Sequence, residues 1–357
     1  MRILTLLLCL ASIALGATEI GEMNGAAFRV DVPDNWNGTL LVYCHGYSPA
    51  PGKYSAEKQD PLSTALTAQG MALIQSGYSA GGWAVAEALN ETEALRRYFV
   101  RKHGKPKETY VLGHSMGGFL TMATIESYPE SYNGALALCG PLSSASRFME
   151  NHVFDMRVVF DFYFPDALPS PGKVPAEYAM SKEKVAEIEK ALEAKPEGSA
   201  NLRKMFGIRN NKDLAGTLVF FTFILKDLQE RGGGNPFDNH DTIYTGSDND
   251  DALNDGVVRY TADPRAAEYM RRYYTPTGKL SRPLLHIHTT YDPLVLPSTP
   301  NEYSGLAEAA GSGQYFVQTY VKHAGHCAIQ PQEIGLGLTR LKEWAITGKR
   351  PSGGALR

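Results

Sequence analysis

The sequence predicts an α/β fold in which a mostly parallel, doubly wound sheet is interrupted by one long, mainly helical insertion. Strand-like and helix-like segments alternate between residues 39 and 139. Helical pieces and loops replace this alternation in residues 140–283, and the α/β pattern resumes at Leu284. Regular alternation is typical of parallel strands joined by crossover helices that cover both faces of the sheet.

The elements before the insertion are recognised from their apolar patterns and from the turn residues between them. An alternating strand contains Phe28, Val30 and Val32, and Gly70 and Gly104 end two of the helices. Continuous apolar runs are typical of strands that are buried on both faces of a parallel sheet. Such strands are predicted at residues 39–44, 71–75, 108–112 and 134–139, and helices at 61–69, 84–103 and 119–128.

After the insertion the same patterns predict strands at 284–288 and 315–321 and helices at 301–310 and 333–346. Within the insertion, Val185, Ile188 and Leu192 lie on one face of a charged helix at 181–194. The polar tail from Gly348 is expected to be loose. The predicted organisation is a core of residues 18–139 and 284–347, an insertion of 140–283 and a tail of 348–357.

The N-terminal segment is typical of a cleaved signal peptide at residues 1–17. Arg2 is followed by an apolar run at 3–15, which is too short to span a bilayer well, and then by small residues. We therefore expect a secreted or periplasmic protein with no membrane span after cleavage.

Charge and cysteine content limit the partners and the covalent cross-links. The formal net charge is −3 and no run of basic residues stands out, so nucleic acid is not an expected partner. Outside the signal segment, Cys44, Cys139 and Cys327 form an odd number, which permits at most one internal disulfide and leaves a free thiol. The sequence does not fix their pairing or the oligomeric state.

Two segments match the G-x-S-x-G motif, which places a serine on a sharp turn between a strand and a helix. The first is at residues 77–81 around Ser79, and the second is at 113–117 around Ser115. A nucleophile in this position follows a strand–helix–strand–helix passage, counted from the strand that ends at His45. That passage reaches Ser115, whereas Ser79 has one strand and one helix too few. The sequence therefore favours Ser115 as a nucleophile and Ser79 as a tight, glycine-rich turn.

The chain resembles the α/β-hydrolase superfamily, in its secreted esterase and lipase-like branch. The segments that carry the resemblance are G-H-S-M-G-G at residues 113–118 and Y-P-E-S-Y-N-G-A at 128–135. It covers nearly all of the mature chain apart from the insertion. The resemblance implies the α/β-hydrolase fold, a catalytic order of serine, aspartate and histidine, and a lid formed by residues 140–283. It implies no cofactor.

Two further catalytic residues follow from this resemblance. Asp292 lies in T-Y-D-P-L-V at residues 290–295, which is similar to the family's D-x-x-V segment, and its carboxylate would orient the histidine. His326 follows the last strand, as the family's base does, and imidazole can take and return a proton near neutral pH. The nearest competitors are Glu302 for the acid and His323 for the base.

The H-G-Y motif that begins at His45 resembles the family's oxyanion loop. The implied donors to the oxyanion are the backbone N–H groups of Tyr47 and Met116. His45, Phe162 and Phe164 are candidates for the substrate pocket, although the phenylalanines could instead form the core of the insertion itself.

Three weaker patterns have ordinary structural alternatives. His286 and His288 point to the same side of a strand, which suits a metal pair or, more simply, core histidines. The acidic residues at 248–251 could bind calcium, but their spacing favours a solvated loop. Enzymes of the tannase and feruloyl-esterase group join the serine and histidine loops by a disulfide. Cys327 fits that pattern, but no cysteine is adjacent to Ser115.

The activity that these features predict is hydrolysis of a small carboxylic ester through an acyl-enzyme intermediate. The alternative on the same fold is a secreted serine peptidase of aminopeptidase type. In that case acidic residues of the insertion, such as those at 248–251, would bind the substrate amine. A non-catalytic binding protein is disfavoured because the predicted serine and histidine are both present.

Overall fold

In the computed structural model, which describes residues 17–57 and 61–356, nine strands form a single sheet. The strands are β1 (Ala17–Met23), β2 (Ala26–Val32), β3 (Thr39–Cys44), β4 (Ala72–Ser76), β5 (Glu108–His114), β6 (Gly134–Leu138), β7 (Leu284–Tyr291), β8 (Phe316–Ala324) and β9 (Gly354–Ala355). Their order in the sheet is β1-β2-β4-β3-β5-β6-β7-β8-β9. The pairs β1–β2 and β2–β4 are antiparallel, and the other pairs are parallel. This confirms the predicted mostly parallel, doubly wound sheet.

The helices lie on both faces of this sheet and in the insertion. They are α1 (Pro61–Ala68), α2 (Val85–His103), α3 (Met116–Ser127), α4 (Ala145–Phe148), α5 (Asp155–Tyr163), α6 (Lys182–Ala194), α7 (Pro196–Phe206), α8 (Asn211–Gly232), α9 (Asp250–Gly256), α10 (Pro264–Arg272), α11 (Pro300–Ala309) and α12 (Pro331–Thr347). The predicted core helices are confirmed, with ends that differ from the prediction by a few residues.

Period-two alternation along the central strands builds a core on each face of the sheet. On β3, Val42 belongs to the apolar cluster that contains Phe99 of α2, whereas its neighbour Leu41 belongs to the cluster that contains Leu338 and Leu341 of α12. Successive side chains of a strand point to opposite faces, so a continuous apolar strand supplies both cores. This explains the apolar runs in the sequence.

The insertion is mainly helical, as predicted, and runs from α4 to α10. A π-helical turn at Met149–Phe154 joins α4 to α5. The predicted apolar face of α6 is confirmed, because Ile188 and Leu192 are fully buried. α6 packs against α8, the longest helix of the insertion.

Two features at the edges of the sheet differ from the prediction. The sequence pattern does not indicate β1, which pairs with β2 and begins at Ala17, the last residue of the predicted signal peptide. The tail from Gly348 is not loose: Gly354 and Ala355 form β9 beside β8, and Arg350 Nη2 donates to the carbonyl of Phe316 at 2.8 Å. Backbone hydrogen bonds to the open edge of β8 thus hold the polar tail in place.

The predicted signal peptide lies almost wholly outside the described residues. Among the helices that the structure describes, none is both long and apolar enough to cross a membrane.

Candidate active site

Ser115 occupies a sharp turn between β5 and α3. Its backbone has φ 56° and ψ −122°, a conformation that a residue with a side chain adopts at a cost. The glycines of the motif allow the turn to form. A Cβ on Gly117 would lie 1.9 Å from the carbonyl oxygen of Cys44, and one on Gly113 would lie 2.4 Å from the same oxygen. β3, β5 and α3 therefore meet too closely for any larger residue, and the turn directs the serine away from the sheet.

The side chains of Ser115, His326 and Asp292 form a continuous hydrogen-bonded chain. Nδ1 of His326 donates to Oδ2 of Asp292 at 2.7 Å, and the hydroxyl of Ser115 donates to Nε2 of His326 at 2.8 Å. A carboxylate can only accept, so Nδ1 carries the imidazole proton and Nε2 is free to accept one. The structure thus brings together three residues that are widely separated in the sequence, in the order and tautomer that a general base requires.

The carboxylate of Asp292 is fixed by its own loop. Oδ1 accepts hydrogen bonds from the backbone N–H groups of Leu294 at 2.9 Å and Val295 at 3.0 Å. Burial raises the pKa of Asp292. The hydrogen bond and charge of His326 and the N–H of Val295 lower this pKa by more than burial raises it, so it lies below the usual value. The buried acid is therefore ionised beside His326 at neutral pH.

His286 and His288 lie side by side behind Asp292. No group of three or more histidine, cysteine or acidic side chains in residues 17–57 and 61–356 could hold a metal ion. Nε2 of His288 donates to the carbonyl of Val295 at 2.9 Å and lies 3.5 Å from Oδ2 of Asp292. Its bare Nδ1 then faces Nε2 of His286 at 3.4 Å. His288 therefore supports the loop that carries the acid, a contact that no spacing in the sequence indicates.

The competing candidates for the site are engaged elsewhere. The hydroxyl of Ser79 donates to the carboxylate of Glu91 on α2. His323 contacts Glu333 at 2.9 Å, and that glutamate caps the start of α12. Glu302 is exposed on α11. In the part of the chain that the structure describes, none of the three alternatives takes part in the hydrogen-bonded chain of Ser115.

The segments predicted to form the oxyanion site lie beside the serine. Met116 is the first residue of α3, so its N–H is one of the helix's free N-terminal donors. A Cβ on Gly46 would lie 3.3 Å from Cβ of Ser115, which places the loop containing Tyr47 against the turn. Tyr47 and Met116 also line the same cavity as Ser115. Their role as oxyanion donors stays a prediction.

A narrow cavity opens beside Ser115 between the sheet and the insertion. Its empty volume, which includes the open mouth, is about 350 Å³. The core contributes Tyr47, Trp83, Ser115, Met116, Leu294, Val295 and His326, and the insertion contributes Pro141, Phe148, Met149, Phe220, Phe221 and Ile224. Apart from Ser115 and His326, the lining side chains are apolar or aromatic, so the cavity suits an uncharged group.

The three predicted pocket residues do not line this cavity. Phe164 is buried and stacks on Phe160, with ring centroids 5.1 Å apart. Phe162 packs against Gly256, and His45 stacks on Tyr78. The aromatic residues at 160–164 belong to the core of the insertion, and α8 supplies the wall of the cavity instead. The pocket prediction is therefore corrected.

Charged residues attach α8 to the loop that follows β4. Asp227 accepts from the backbone N–H of Trp83 at 2.6 Å and from Nε of Arg231 at 3.0 Å. Arg231 also donates to the carbonyl of Gly81 and to Glu87. A Cβ on Gly82 would lie 2.1 Å from Oδ1 of Asp227, so this contact requires glycine. Gly81 and Gly82, which follow Ser79, thus belong to a docking contact for the insertion.

A disulfide joins Cys139, which follows β6, to Cys327 beside His326, and Cys44 is a buried free cysteine. It connects the histidine loop to the strand next to the serine turn. Cys139, the partner of Cys327, is not adjacent to Ser115, so this disulfide differs from the tannase pattern. The odd cysteine count agrees with one cross-link and one free thiol within the described residues.

Because the two cysteines are 188 residues apart, this cross-link restricts the unfolded chain strongly. We expect replacement of both Cys139 and Cys327 by alanine to lower the free energy of unfolding by about 2–5 kcal/mol. Urea denaturation with and without dithiothreitol measures the effect. The reductant should lower the midpoint of the wild type but not that of the double variant. An unchanged wild-type midpoint would contradict the disulfide.

The chain belongs to the family described as the alpha/beta hydrolase fold, whose model matches residues 45–329. Among characterised proteins it is similar to an o-phthalyl amidase from Xanthobacter agilis, with 23% identity over 159 residues, or 43% of this chain. The aligned region spans only 34% of that relative's length.

Solved structures of esterases and peptidases are similar over most of the chain. A rice cell wall degrading esterase, LipA from Xanthomonas oryzae, has 15% identity and a TM-score of 0.44, with 90% of this chain and 84% of that chain covered. A proline iminopeptidase from Mycobacterium smegmatis has 14% identity and a TM-score of 0.47, with 93% and 100% covered. At these levels of similarity the two structures do not identify a substrate for this chain.

Proposed function

We propose that the protein is a secreted serine hydrolase that cleaves carboxylic esters of small, uncharged acyl groups. The observation that carries the proposal is the hydrogen-bonded chain from Ser115 through His326 to the ionised Asp292. In this mechanism Ser115 Oγ attacks the acyl carbon while Nε2 of His326 takes its proton. His326 then protonates the leaving alcohol, and water cleaves the resulting acyl-enzyme by the same route.

The tetrahedral intermediate needs donors that are already in place. In the proposal, the backbone N–H groups of Tyr47 and Met116 bind the oxyanion, and the N-terminus of α3 adds a favourable field. The turn at Ser115 and the close approach of Gly46 support this arrangement, because they hold both segments against the nucleophile.

In the proposal, residues 140–283 act as a lid that sets the size of the acyl group. Support comes from six residues of the insertion that line the cavity beside Ser115, namely Pro141, Phe148, Met149, Phe220, Phe221 and Ile224. The cavity is narrow, so in the proposal the space beyond the scissile carbonyl takes a short acyl chain.

We therefore expect higher kcat/KM on p-nitrophenyl butyrate than on the octanoate, by roughly 10- to 100-fold, because a longer chain overpacks the cavity. Replacement of Phe221 by alanine should raise the relative rate on octanoate, whereas Phe162→Ala, outside the cavity, should leave the ratio unchanged. Initial rates on the ester series measure this preference. Faster cleavage of octanoate by the wild type would contradict an acyl site of this size.

The main alternative is a peptidase or amidase that uses the same three residues. A substrate with a free amine needs a carboxylate near the nucleophile, and two of the acidic residues predicted for this task have other partners. Asp248 pairs with Lys204 at 3.1 Å, and Asp250 accepts from Ser247 at the start of α9. The similarity to an o-phthalyl amidase keeps amides as a second candidate class.

A fluorophosphonate probe and a substrate panel test the proposal together. We expect the probe to label the mature protein, and p-nitrophenyl acyl esters to be cleaved much faster than an aminoacyl-p-nitroanilide. Faster cleavage of the aminoacyl-anilide would favour the peptidase. A protein that neither reacts with the probe nor cleaves any ester would contradict the proposed function.

A further inference from the structure

Tyr291, the residue immediately before the acid, is attached to the insertion through its hydroxyl. The side chain is buried, and the hydroxyl donates to Oδ2 of Asp213 at 2.7 Å. The same hydroxyl accepts from the backbone N–H of Arg209 at 3.1 Å. The guanidinium of Arg209 lies 4.0 Å from the centre of the Tyr291 ring. The tyrosine therefore has an acceptor, a donor and a cation of the insertion as its partners.

The acceptor of this tyrosine belongs to the first turn of α8. Asn210 is the N-cap residue of the helix, and its side chain both accepts from the backbone N–H of Asp213 at 2.8 Å and donates to Oδ2 at 2.9 Å. One turn further along, the hydroxyl of Thr217 donates to the carbonyl of Pro293 at 3.4 Å. The start of α8 thus contacts both neighbours of the acid in the chain, Tyr291 and Pro293.

The backbone of Tyr291 connects the acid to the base. Its carbonyl accepts from the N–H of Gly325 at 2.8 Å, and Gly325 immediately precedes His326. On its other side the chain continues into Asp292, whose Oδ2 accepts from His326. A shift of Tyr291 therefore moves both the carboxylate and the imidazole. Catalytic groups that are displaced by about 1 Å can lose roughly 10²-fold in rate.

We propose that Tyr291 is a positioning residue through which the start of α8 fixes the geometry between Asp292 and His326. This inference rests on the proposed function, because that geometry matters for turnover only if His326 activates Ser115. The hydroxyl bonds to the insertion rather than to a reacting atom, so it acts through its neighbours. The insertion then has two roles: α8 lines the acyl cavity with its middle and holds the acid and the base with its first turns.

Tyr291→Phe tests the proposal because it removes the hydroxyl and keeps the ring. We expect it to lower kcat on p-nitrophenyl butyrate and the second-order rate of fluorophosphonate labelling together, by about 3- to 30-fold. Both reactions need a nucleophile that His326 has activated. The fraction of protein labelled at completion should equal that of the wild type, because every folded molecule still reacts. A loss of folded protein would instead lower this fraction at an unchanged rate.

Asp213 gives a second route to the same hydroxyl. Asp213→Ala should lower both rates as Tyr291→Phe does, and the double variant should lower them no further, because the two changes remove one contact. Asp213→Asn keeps an oxygen that can accept from the tyrosine, so it should retain both rates within about twofold.

Tyr178→Phe is the matched control, since the hydroxyl of Tyr178 also donates to α8, at the carbonyl of Val219. This hydrogen bond joins two parts of the insertion, so its removal should leave both rates unchanged. The inference would be overturned by wild-type rates in Tyr291→Phe and Asp213→Ala, by an equal loss in Tyr178→Phe or Asp213→Asn, or by a lower labelled fraction at an unchanged rate. In each case the proposed function would stand. A wild type that cleaves no ester and is not labelled would contradict the proposed function itself.

Discussion

Replacement of Ser115 by alanine should lower kcat on a p-nitrophenyl ester by roughly 10⁴- to 10⁶-fold and should abolish fluorophosphonate labelling. The hydroxyl of Ser115 is the group that donates to Nε2 of His326, at 2.8 Å. Without it, neither the acyl-enzyme nor the phosphonylated enzyme can form. The oxyanion donors and the cavity remain, but they recover only a small part of the rate. Initial rates and gel fluorescence after labelling measure the two effects.

Ser79→Ala is the matched control for this experiment, since Ser79 lies in the second G-x-S-x-G motif. Its hydroxyl donates to Glu91, so its removal should cost about 1 kcal/mol of stability and leave turnover and labelling intact. Retained labelling in Ser115→Ala together with its loss in Ser79→Ala would transfer the nucleophile to the other turn. Activity in both single variants would exclude both serines.

The parts of the fold that the sequence predicts are those governed by local patterns. The continuous apolar run at 39–44 indicates β3 because each of its residues must pack on one of two cores, as Leu41 and Val42 do. The preference for Ser115 over Ser79 also follows from the order of the elements. The resemblance located Asp292 and His326, and the structure brings both side chains to Ser115.

The remaining parts depend on contacts between distant segments, which leave little trace in a single sequence. Phe162 and Phe221 are both aromatic residues on helices of the insertion, and only the packing of α8 against the core places Phe221 in the cavity. The pairing of Cys139 with Cys327 needs the loop after β6 to meet the histidine loop after β8 across the end of β7, which only the folded chain brings about. β9 has no apolar pattern because it is held by backbone hydrogen bonds at an edge.

The second large effect is expected for Asp292→Asn, which should lower kcat by about 10⁴-fold while the protein stays folded. The direction of the effect follows from the hydrogen bonds of the carboxylate. Oδ1 of Asp292 accepts from the backbone N–H groups of Leu294 and Val295, so the amide oxygen of an asparagine must take that place. The amide NH₂ group then occupies the position of Oδ2 and points at Nδ1 of His326.

An NH₂ group in that position can only donate, so it selects the tautomer of His326 in which Nδ1 is bare and Nε2 carries the proton. Such an imidazole cannot take the proton of Ser115, although the three side chains remain in place. Glu302→Gln, which changes the competing acid on α11, is the control and should keep kcat within about twofold because surface substitutions have small effects. Rates on an activated ester and thermal unfolding of each variant separate a loss of catalysis from a loss of structure. If Asp292→Asn retained most of its activity, or if Glu302→Gln lost it, Asp292 would not be the residue that orients His326.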